Sequence, residues 1–301
     1  MGSRILVTGV AGFVGQHLAQ RLLRDGAQVS GTYLRDAPEL DGVELFEVDI
    51  LDQEGLTRIF ESARPDAVIH LAGLSHVGAS WKDLSSYFQI NVLGAENVLA
   101  AAGDRRVIVA SSAEVYGVVP PHLQPIDESQ PLAPASPYAM TKAAMERVAR
   151  PRGAVVMRSF NVIGPGQAPD FALPTFAGQL AAMRHGVQEP VLRVGNLAAQ
   201  RDFVSAEDAV EAYLLLLEHG EPGEVYNMGS GVALSIEELV HRLIVVSGVK
   251  ARIEVDPERF RPADIPLLQA DAGRLEALGW SPRSDVDSAL KQLWNSVAET
   301  D

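Results

Sequence analysis

Along the first half of the chain, short β-branched runs alternate with stretches whose apolar residues recur at helical spacing. Residues 4–9 (RILVTG) read as a strand closed by glycine. Residues 13–25 place Phe13, Leu18, Leu22 and Leu23 near one helical face, and Gly26 stops the helix. Strands are expected over 27–32 and 43–48, with a helix over 53–63 between them and an apolar strand at 67–71. That last run (AVIHL) is of the kind buried on both faces in a parallel sheet. A helix over 88–102, a strand over 106–110, a helix over 137–150 opening on Pro137, and a strand over 154–158 complete the series. This β-α-β-α order predicts an α/β protein with a doubly wound, Rossmann-like parallel sheet.

The second half changes character. Loops rich in Pro and Gly occupy 164–171 and 257–266, and amphipathic helices are expected near 206–218 and 235–247. No internal repeat or low-complexity tract occurs. The expected division is a cofactor-binding domain over 1–160, to which about 197–220 returns, and a smaller α/β substrate-binding domain formed mainly by 161–301.

Composition narrows the function classes. Hydrophobic residues make up 47% and charged residues 21% of 301, enough for one large domain or two intimate ones. Lys and Arg number 25 against 39 Asp and Glu, a net charge of −14 that disfavours a nucleic-acid backbone as partner. An anionic ligand would need local arginines. The absence of cysteine excludes disulfide scaffolds, thiolate metal sites and Cys nucleophiles, and no metal site is expected. The N-terminus does not read as a signal peptide, and no apolar stretch approaches ~18 residues, so the expectation is a cytoplasmic protein with no membrane partner.

In a doubly wound sheet, ligands sit at the carboxyl ends of the strands, so the chemistry should follow Val7, Leu71, Ala110 and Arg158. Gly9-Val10-Ala11-Gly12-Phe13-Val14-Gly15 joins the first strand to the first helix. Gly9 permits a tight turn, Gly12 lets backbone N–H groups approach a pyrophosphate, and Gly15 allows close helix–strand packing. A glycine-rich turn without function is the plain alternative. Its place in the first βα turn of an alternating chain favours a dinucleotide site. At the end of the second strand Tyr33 stands where an acid would bind the ribose of NAD, and Arg35 follows. Arginine there suits a 2′-phosphate, so NADP(H) is expected over NAD(H), which stays possible. Asp49-Ile50 ends the third strand, where Asp49 could accept from the adenine amino group or cap the next helix.

Tyr138 and Lys142 lie four apart on one helical face, and Ser111-Ser112 ends the preceding apolar strand. Carbonyl reduction needs a proton donor at the oxygen. Tyr138 can supply the proton, Lys142 can favour the phenolate and hold the nicotinamide ribose, and Ser112 can orient the substrate oxygen. Such a pair usually marks a solvated helix face. Behind a dinucleotide loop and a Ser-Ser strand end, the catalytic interpretation is the stronger.

These features resemble the extended short-chain dehydrogenase/reductases, the superfamily of nucleotide-sugar epimerases, dehydratases and reductases. The likeness spans the chain. It rests on the glycine loop, Asp49-Ile50, His70-Leu71-Ala72-Gly73, Asn91-Val92-Leu93-Gly94, Ser111-Ser112-Ala113-Glu114-Val115-Tyr116-Gly117, Tyr138-x-x-x-Lys142 and Arg201-Asp202-Phe203. It implies that Phe13, Val14, Ile50, Leu71, Ala72, Gly73 and Asn91 join the cofactor site. Phe160-Asn161-Val162-Ile163-Gly164-Pro165-Gly166-Gln167 and the segments that follow are similar to the GDP-4-dehydro-6-deoxy-D-mannose reductases, which form GDP-D-rhamnose. That likeness implies a GDP-linked sugar substrate, lined by Ser75, Asn161 and Asn196, with Arg201 and Arg261 on its diphosphate. Surface ion pairing is the alternative for both arginines. The chain has Val162 where those reductases usually carry His.

Glu114 is the acid that a GDP-mannose 4,6-dehydratase would use as base over C5, and reductases of this group carry an acid there too. Dehydratase and 4-epimerase therefore stay open, as does a dinucleotide-binding sensor, although sensors of this superfamily typically lose Tyr or Lys of the pair. His76, alone on an apolar loop, is read as structural. The resemblance also implies a possible homodimer through the helix carrying Tyr138, which Pro151-Arg152-Gly153 cuts short.

Overall fold

A computed structural model describes residues 2–260 and 265–299. The first half runs β1 (Arg4–Thr8), α1 (Phe13–Arg24), β2 (Gln28–Tyr33), β3 (Val43–Glu47), α2 (Gln53–Ala63), β4 (Ala67–His70), the short helices α3 (Val77–Ser80) and α4 (Leu84–Phe88), α5 (Ala95–Ala102), β5 (Arg106–Ser112), α6 (Pro137–Ala149) and β6 (Val155–Ser159). The second half adds β7 (Asn161–Ile163), α7 (Ala172–Arg184), β8 (Val191–Val194), β9 (Gln200–Ser205), α8 (Ala206–His219), β10 (Val225–Met228), β11 (Ala233–Ser235), α9 (Ile236–Ser247), β12 (Arg252–Val255), β13 (Leu267–Leu268), α10 (Gly273–Ala277) and α11 (Val286–Ala298).

Seven strands form one sheet in the order β10-β6-β5-β4-β1-β2-β3. Every pairing in it is parallel. The chain reverses direction of travel between β1 and β4, which opens a crevice at their carboxyl ends. Successive strand residues face opposite sides, so both faces are apolar here. Val7, Ile69 and Met157 pack under Leu18 and Leu22 of α1 and Val210 and Leu216 of α8. Leu6, Val68 and Val109 pack under Leu56, Val98, Leu99 and Met145 of α2, α5 and α6. Each fully buried large aliphatic side chain contributes about 1.5–3 kcal/mol, so this double-sided burial explains why the central strands β1, β4 and β5 read as apolar runs.

Two boundaries differ from the sequence expectation by more than one residue, both beside the crevice. The helix expected over 88–102 is interrupted by a π-turn at Gln89–Gly94 before α5 begins. Such turns often mark functional sites, and this one carries Asn91, which is buried. β5 runs on to Ser112 because Ser111 and Ser112 continue to pair with Arg158 and Ser159 of β6.

The second half holds more regular structure than its periodicity suggested. β7, β9, β11 and β13 form a four-stranded sheet, and β8 pairs with β12. Leu173 and Leu180 of α7, Leu239 and Leu243 of α9, and Leu290 and Leu293 of α11 share a separate core. Strands as short as the two residues of β13 carry no period-two signal. In α7, Pro174 and several small residues dilute the apolar stripe, although Pro is tolerated in a first turn. Among the described residues, no helix is long and apolar enough to cross a membrane.

Candidate active site

The glycine loop lies at the crevice. Gly9 has φ +72°, a left-handed conformation that an L side chain rarely adopts, and a Cβ there would sit 2.7 Å from the Ala72 nitrogen. A Cβ on Gly15 would lie 2.5 Å from the Gly9 carbonyl oxygen, so α1 can approach this closely only with glycine. Gly12 caps α1 without any side-chain hydrogen bond, whereas Asp52, Ser136, Ser205, Ser235 and Asp285 cap α2, α6, α8, α9 and α11 with theirs. The first N–H groups of α1, at Phe13, Val14 and Gly15, form the end of a helix dipole and suit a pyrophosphate. These residues fit a dinucleotide.

The adenosine end of such a ligand would reach the carboxyl ends of β2 and β3. A cleft of about 670 Å³ opens there, lined among others by Leu34, Val48, Asp49 and Arg58. Arg35 is exposed at the same strand end. Asp49 does not cap α2; that role belongs to Asp52, which accepts from the Gly55 amide at 2.9 Å. Asp49 instead accepts from the Leu51 amide at 2.9 Å and fixes its own turn beside the buried Ile50.

The turn after β4 is held from below. Thr8 Oγ1 lies 2.7 Å from His70 Nδ1 and accepts from the Ala72 amide at 3.4 Å. Burial, with the Lys142 cation nearby, pushes the His70 pKa down to about 3. Leu71, Ala72 and Gly73 follow at the crevice. A Cβ on Gly73 would lie 2.8 Å from Asn91 Oδ1 and 3.8 Å from Lys142 Nζ, so this glycine lets the turn meet α6. The Asn91 amide donates to Leu74 O at 3.0 Å and Thr141 Oγ1 at 2.9 Å, and its oxygen accepts from Leu74 N at 2.8 Å. Asn91 thus positions the cofactor-side turn through its backbone. Neither Thr8 nor His70 stood out as a site residue in the sequence.

The candidate reaction centre lies where β5 ends against α6. Ser136 Oγ accepts from the Ala139 amide at 3.1 Å and starts α6, with Pro137 next. Helical geometry then puts Tyr138 and Lys142 on the face toward β5, and both are buried at 7% exposure. Lys142 Nζ donates to the Ala110 carbonyl at 2.8 Å and lies 6.0 Å from the Tyr138 ring centre. Ser112, whose Oγ accepts from the Glu114 amide at 3.2 Å, lies beside the Tyr138 phenol and acts on its pKa. Burial raises the phenol pKa, the Ser112 hydroxyl opposes the rise, and the Glu114 carboxylate adds to it. Burial brings Lys142 down to about 8, with Glu146 opposing. A neutral phenol beside a readily titrated ammonium can deliver a proton to a carbonyl oxygen bound at Ser112.

Behind this centre lies a buried ionic network. Glu146, one turn after Lys142, takes a hydrogen bond from Ser111 Oγ at 2.5 Å and a bidentate pair from Arg158, with Nη2 at 2.6 Å and Nε at 3.0 Å. Arg158 Nη1 donates to the Tyr116 hydroxyl at 2.9 Å, which donates to Asn227 Oδ1 at 2.7 Å. The pair thereby ties the strand bearing Ser112 to the helix bearing Tyr138. Glu146 did not stand out in the sequence; its four-residue spacing from Lys142 is the signal that could have found it.

The residues expected around a sugar nucleotide lie across the crevice. Asn161 Nδ2 donates to the Asp202 carbonyl at 3.0 Å and joins β7 to β9. Asn196 Oδ1 accepts from the Ala198 amide at 3.0 Å. Arg201 is buried rather than at the surface, and its Nη1 donates to the Ile265 carbonyl at 2.6 Å. The neighbouring Asp202 is also buried and accepts from Ser230, Gly231 and Ala270 backbone amides. Ser75 is exposed at the crevice mouth. Arg261 lies outside the described residues.

Known proteins share this organisation. A family described as GDP-mannose 4,6 dehydratase matches residues 6–293. The chain is 36% identical to a GDP-6-deoxy-D-mannose reductase of Pseudomonas aeruginosa, over 98% of each protein. A solved structure of RMD from Pseudomonas aeruginosa complexed with NADPH superposes with a TM-score of 0.88 at 34% identity, covering 98% of this chain and 99% of that one. The UDP-glucose 4-epimerase of Thermus thermophilus, solved with NAD, gives 0.90 at 30% identity, covering 99% of this chain and 100% of that one. With its parallel sheet, glycine loop and Ser-Tyr-Lys centre, the chain belongs to the GDP-mannose 4,6-dehydratase family of extended short-chain dehydrogenase/reductases.

Proposed function

We propose that this protein is an NADPH-dependent reductase acting on the C4 ketone of GDP-4-dehydro-6-deoxy-D-mannose, giving GDP-D-rhamnose. The observation that carries the proposal is the end-to-end match to a GDP-6-deoxy-D-mannose reductase in a chain that keeps Ser112, Tyr138 and Lys142 assembled. Residues 1–160, with 197–220 returning to them, hold the cofactor in this scheme. Residues 161–301 mainly hold the nucleotide sugar. Gly9, Gly12, Phe13, Val14 and Gly15 receive the pyrophosphate, Asp49 and Ile50 the adenine, and Leu71, Ala72 and Gly73 the middle of the dinucleotide. Ser75, Asn161, Asn196, Arg201 and Arg261 contact the GDP-sugar. The acting location is the cytoplasm.

When bound, the dihydronicotinamide supplies a hydride to the carbonyl carbon. Tyr138 Oη then gives its proton to the carbonyl oxygen. Ser112 Oγ holds that oxygen in line. Lys142 Nζ, cationic below about pH 8, stabilises the phenolate that Tyr138 becomes. The raised phenol pKa keeps the donor protonated at neutral pH, which suits the reductive direction.

Glu114 supports a second possibility. Its carboxylate raises the pKa of the Tyr138 phenol, and this proximity supports Glu114 as the C5 base of a dehydratase. Two incubations separate the reactions, one with GDP-mannose and NADP⁺, the other with the 4-keto sugar and NADPH. Turnover is expected in the second and little in the first. Conversion of GDP-mannose to the ketone, abolished by Glu114→Gln, would replace reductase by dehydratase. Activity confined to UDP- or dTDP-sugars would remove both and favour a 4-epimerase.

The preference for NADPH rests on Arg35 at an exposed strand end with Tyr33 in place of an acid. A hydrogen bond to a charged group contributes about 1.5–3 kcal/mol, so Arg35→Ala should weaken NADPH by roughly 10-fold or more and leave NADH nearly unchanged. Tighter NADH than NADPH in the parent protein, by titration, would reverse the assignment. A homodimer is also proposed. Leu84, Phe88, Leu93 and Met140 are 40–56% exposed where α4, α5 and α6 pack side by side, an apolar face that suits a second copy.

A further inference from the structure

Two histidines of the cofactor side reach across to the loop between β7 and α7. His17, one turn into α1, places Nε2 2.8 Å from the Pro165 carbonyl oxygen. His76, in the turn after β4, places Nε2 3.3 Å from the Asp170 carbonyl oxygen and 3.8 Å from its carboxylate. A carbonyl oxygen only accepts, so each Nε2 carries a proton. At His76 the tautomer is fixed from the other side as well, because Nδ1 accepts the Ala79 amide at 3.0 Å and caps α3.

Ring contacts accompany both bonds. The His17 ring meets Phe13 edge-on at 5.5 Å, and the His76 ring meets Phe171 at 5.8 Å. Phe13 belongs to the glycine loop, and a Cβ on Gly164 would lie only 3.4 Å from its ring. The loop is therefore pinned near both of its ends. Asn161 lies just before it and α7 begins just after it. His76 is also linked back to the reaction centre. Tyr87 donates its hydroxyl to the His76 carbonyl at 2.6 Å, and its ring meets Tyr138 edge-on at 6.5 Å.

We propose that His17 and His76 are positioning residues that clamp the 164–171 loop onto the cofactor domain, fixing where Asn161 and α7 present the sugar nucleotide to Tyr138. The proposal rests on the nucleotide-sugar function above. A loop rich in Gly and Pro between two domains moves unless it is tied down. Tying it before substrate arrives lowers the ordering cost of binding, so the clamp acts on sugar affinity rather than on the proton transfer.

The test separates the clamp from the helix cap. His76→Asn keeps a side-chain oxygen for the α3 cap, since Asn is a strong N-cap residue, but is too short to reach Asp170. His17→Leu removes the other donor and keeps bulk. Steady-state constants for the 4-keto sugar and NADPH are measured, together with amide hydrogen exchange of the loop in the NADPH complex. Each substitution should raise the sugar KM by about 5-fold, and the pair by about 25-fold, as expected for one net hydrogen bond apiece. The NADPH KM and kcat should hold, and exchange should quicken in 164–171 while α6 stays protected. Unchanged sugar KM and loop exchange in the double variant would overturn the clamp. Equal losses for sugar and NADPH would also overturn it, by showing a general structural role. If the parent protein reduces no GDP-linked ketone, the functional proposal falls, and loop exchange alone decides the clamp.

Discussion

Tyr138→Phe is expected to reduce turnover by at least ~100-fold while leaving the NADPH dissociation constant unchanged, because general acid catalysis typically contributes ~10²–10⁴-fold. The substitution removes one oxygen from a buried ring whose packing against Tyr87 survives. Single-turnover reduction and fluorescence titration of NADPH measure the two quantities. Lys142→Met should impair both, since the ammonium group lies over the Tyr138 ring, 6.0 Å from its centre, and is assigned to the ribose as well. Lys142 also sets a pH dependence. Burial lowers its pKa to about 8, so it is charged below that value and neutral above it. Only the charged form stabilises the developing phenolate, and kcat for reduction should therefore decline as pH rises through about 8. His70 and Glu146 face the same ammonium group, but His70 stays neutral across this range. The alkaline decline should be absent from Lys142→Met. Near-normal turnover in Tyr138→Phe would mean that another group protonates the oxygen.

What the sequence disclosed and what it withheld follow from the range of the interactions involved. The centre of the parallel sheet was legible because its strands are buried on both faces and so carry apolar runs, as in Ala67–His70, whereas the edge strand β3 keeps Glu44 and Glu47 exposed. The glycine loop was legible because its demands are local: Gly9 needs a left-handed φ, and Gly15 needs a missing Cβ within a few residues. Tyr138 and Lys142 were legible from one helical turn. The π-turn at Gln89–Gly94 was not, because it answers to Leu74 and Thr141, which come from two other elements. Thr8 looked like an ordinary strand residue, and His70 entered only within the His70-Leu71-Ala72-Gly73 run, since their pairing joins positions 62 apart. His76 was expected to be structural. It does cap α3, but its second nitrogen bonds a residue 94 positions away, a contact no local pattern encodes. The side proposed for the sugar was the least legible. Its strands are short, and Asn161 and Arg201 take their places from non-local backbone partners.

The ionic network behind the reaction centre leads to the second large effect. Glu146 and Arg158 are 2% and 3% exposed, and their mutual hydrogen bonds replace the water that each has lost. Removing one partner of such a pair typically costs about 3–5 kcal/mol, because the remaining charge is left buried and uncompensated. Glu146→Ala should therefore lower the thermal midpoint by roughly 5–8 °C in a chain of this size. Ser111 would lose its acceptor in the same substitution, loosening the strand end that carries Ser112. Replacing both charges separates stability from positioning. Glu146→Met with Arg158→Met fills similar volume without a buried charge, and apolar replacements of this type are often neutral or stabilising. The double variant should regain most of the lost stability in a calorimetric scan. Its turnover should stay below that of the parent protein, because Ser111 and Tyr116 no longer hold β5 and α6 in register. A Glu146→Ala protein that melts within about 1 °C of the parent would mean that Arg158 finds another counter-charge or water. Full activity in the double variant would mean that packing alone aligns Ser112 with Tyr138, and that the ion pair contributes nothing to the geometry of the reaction centre.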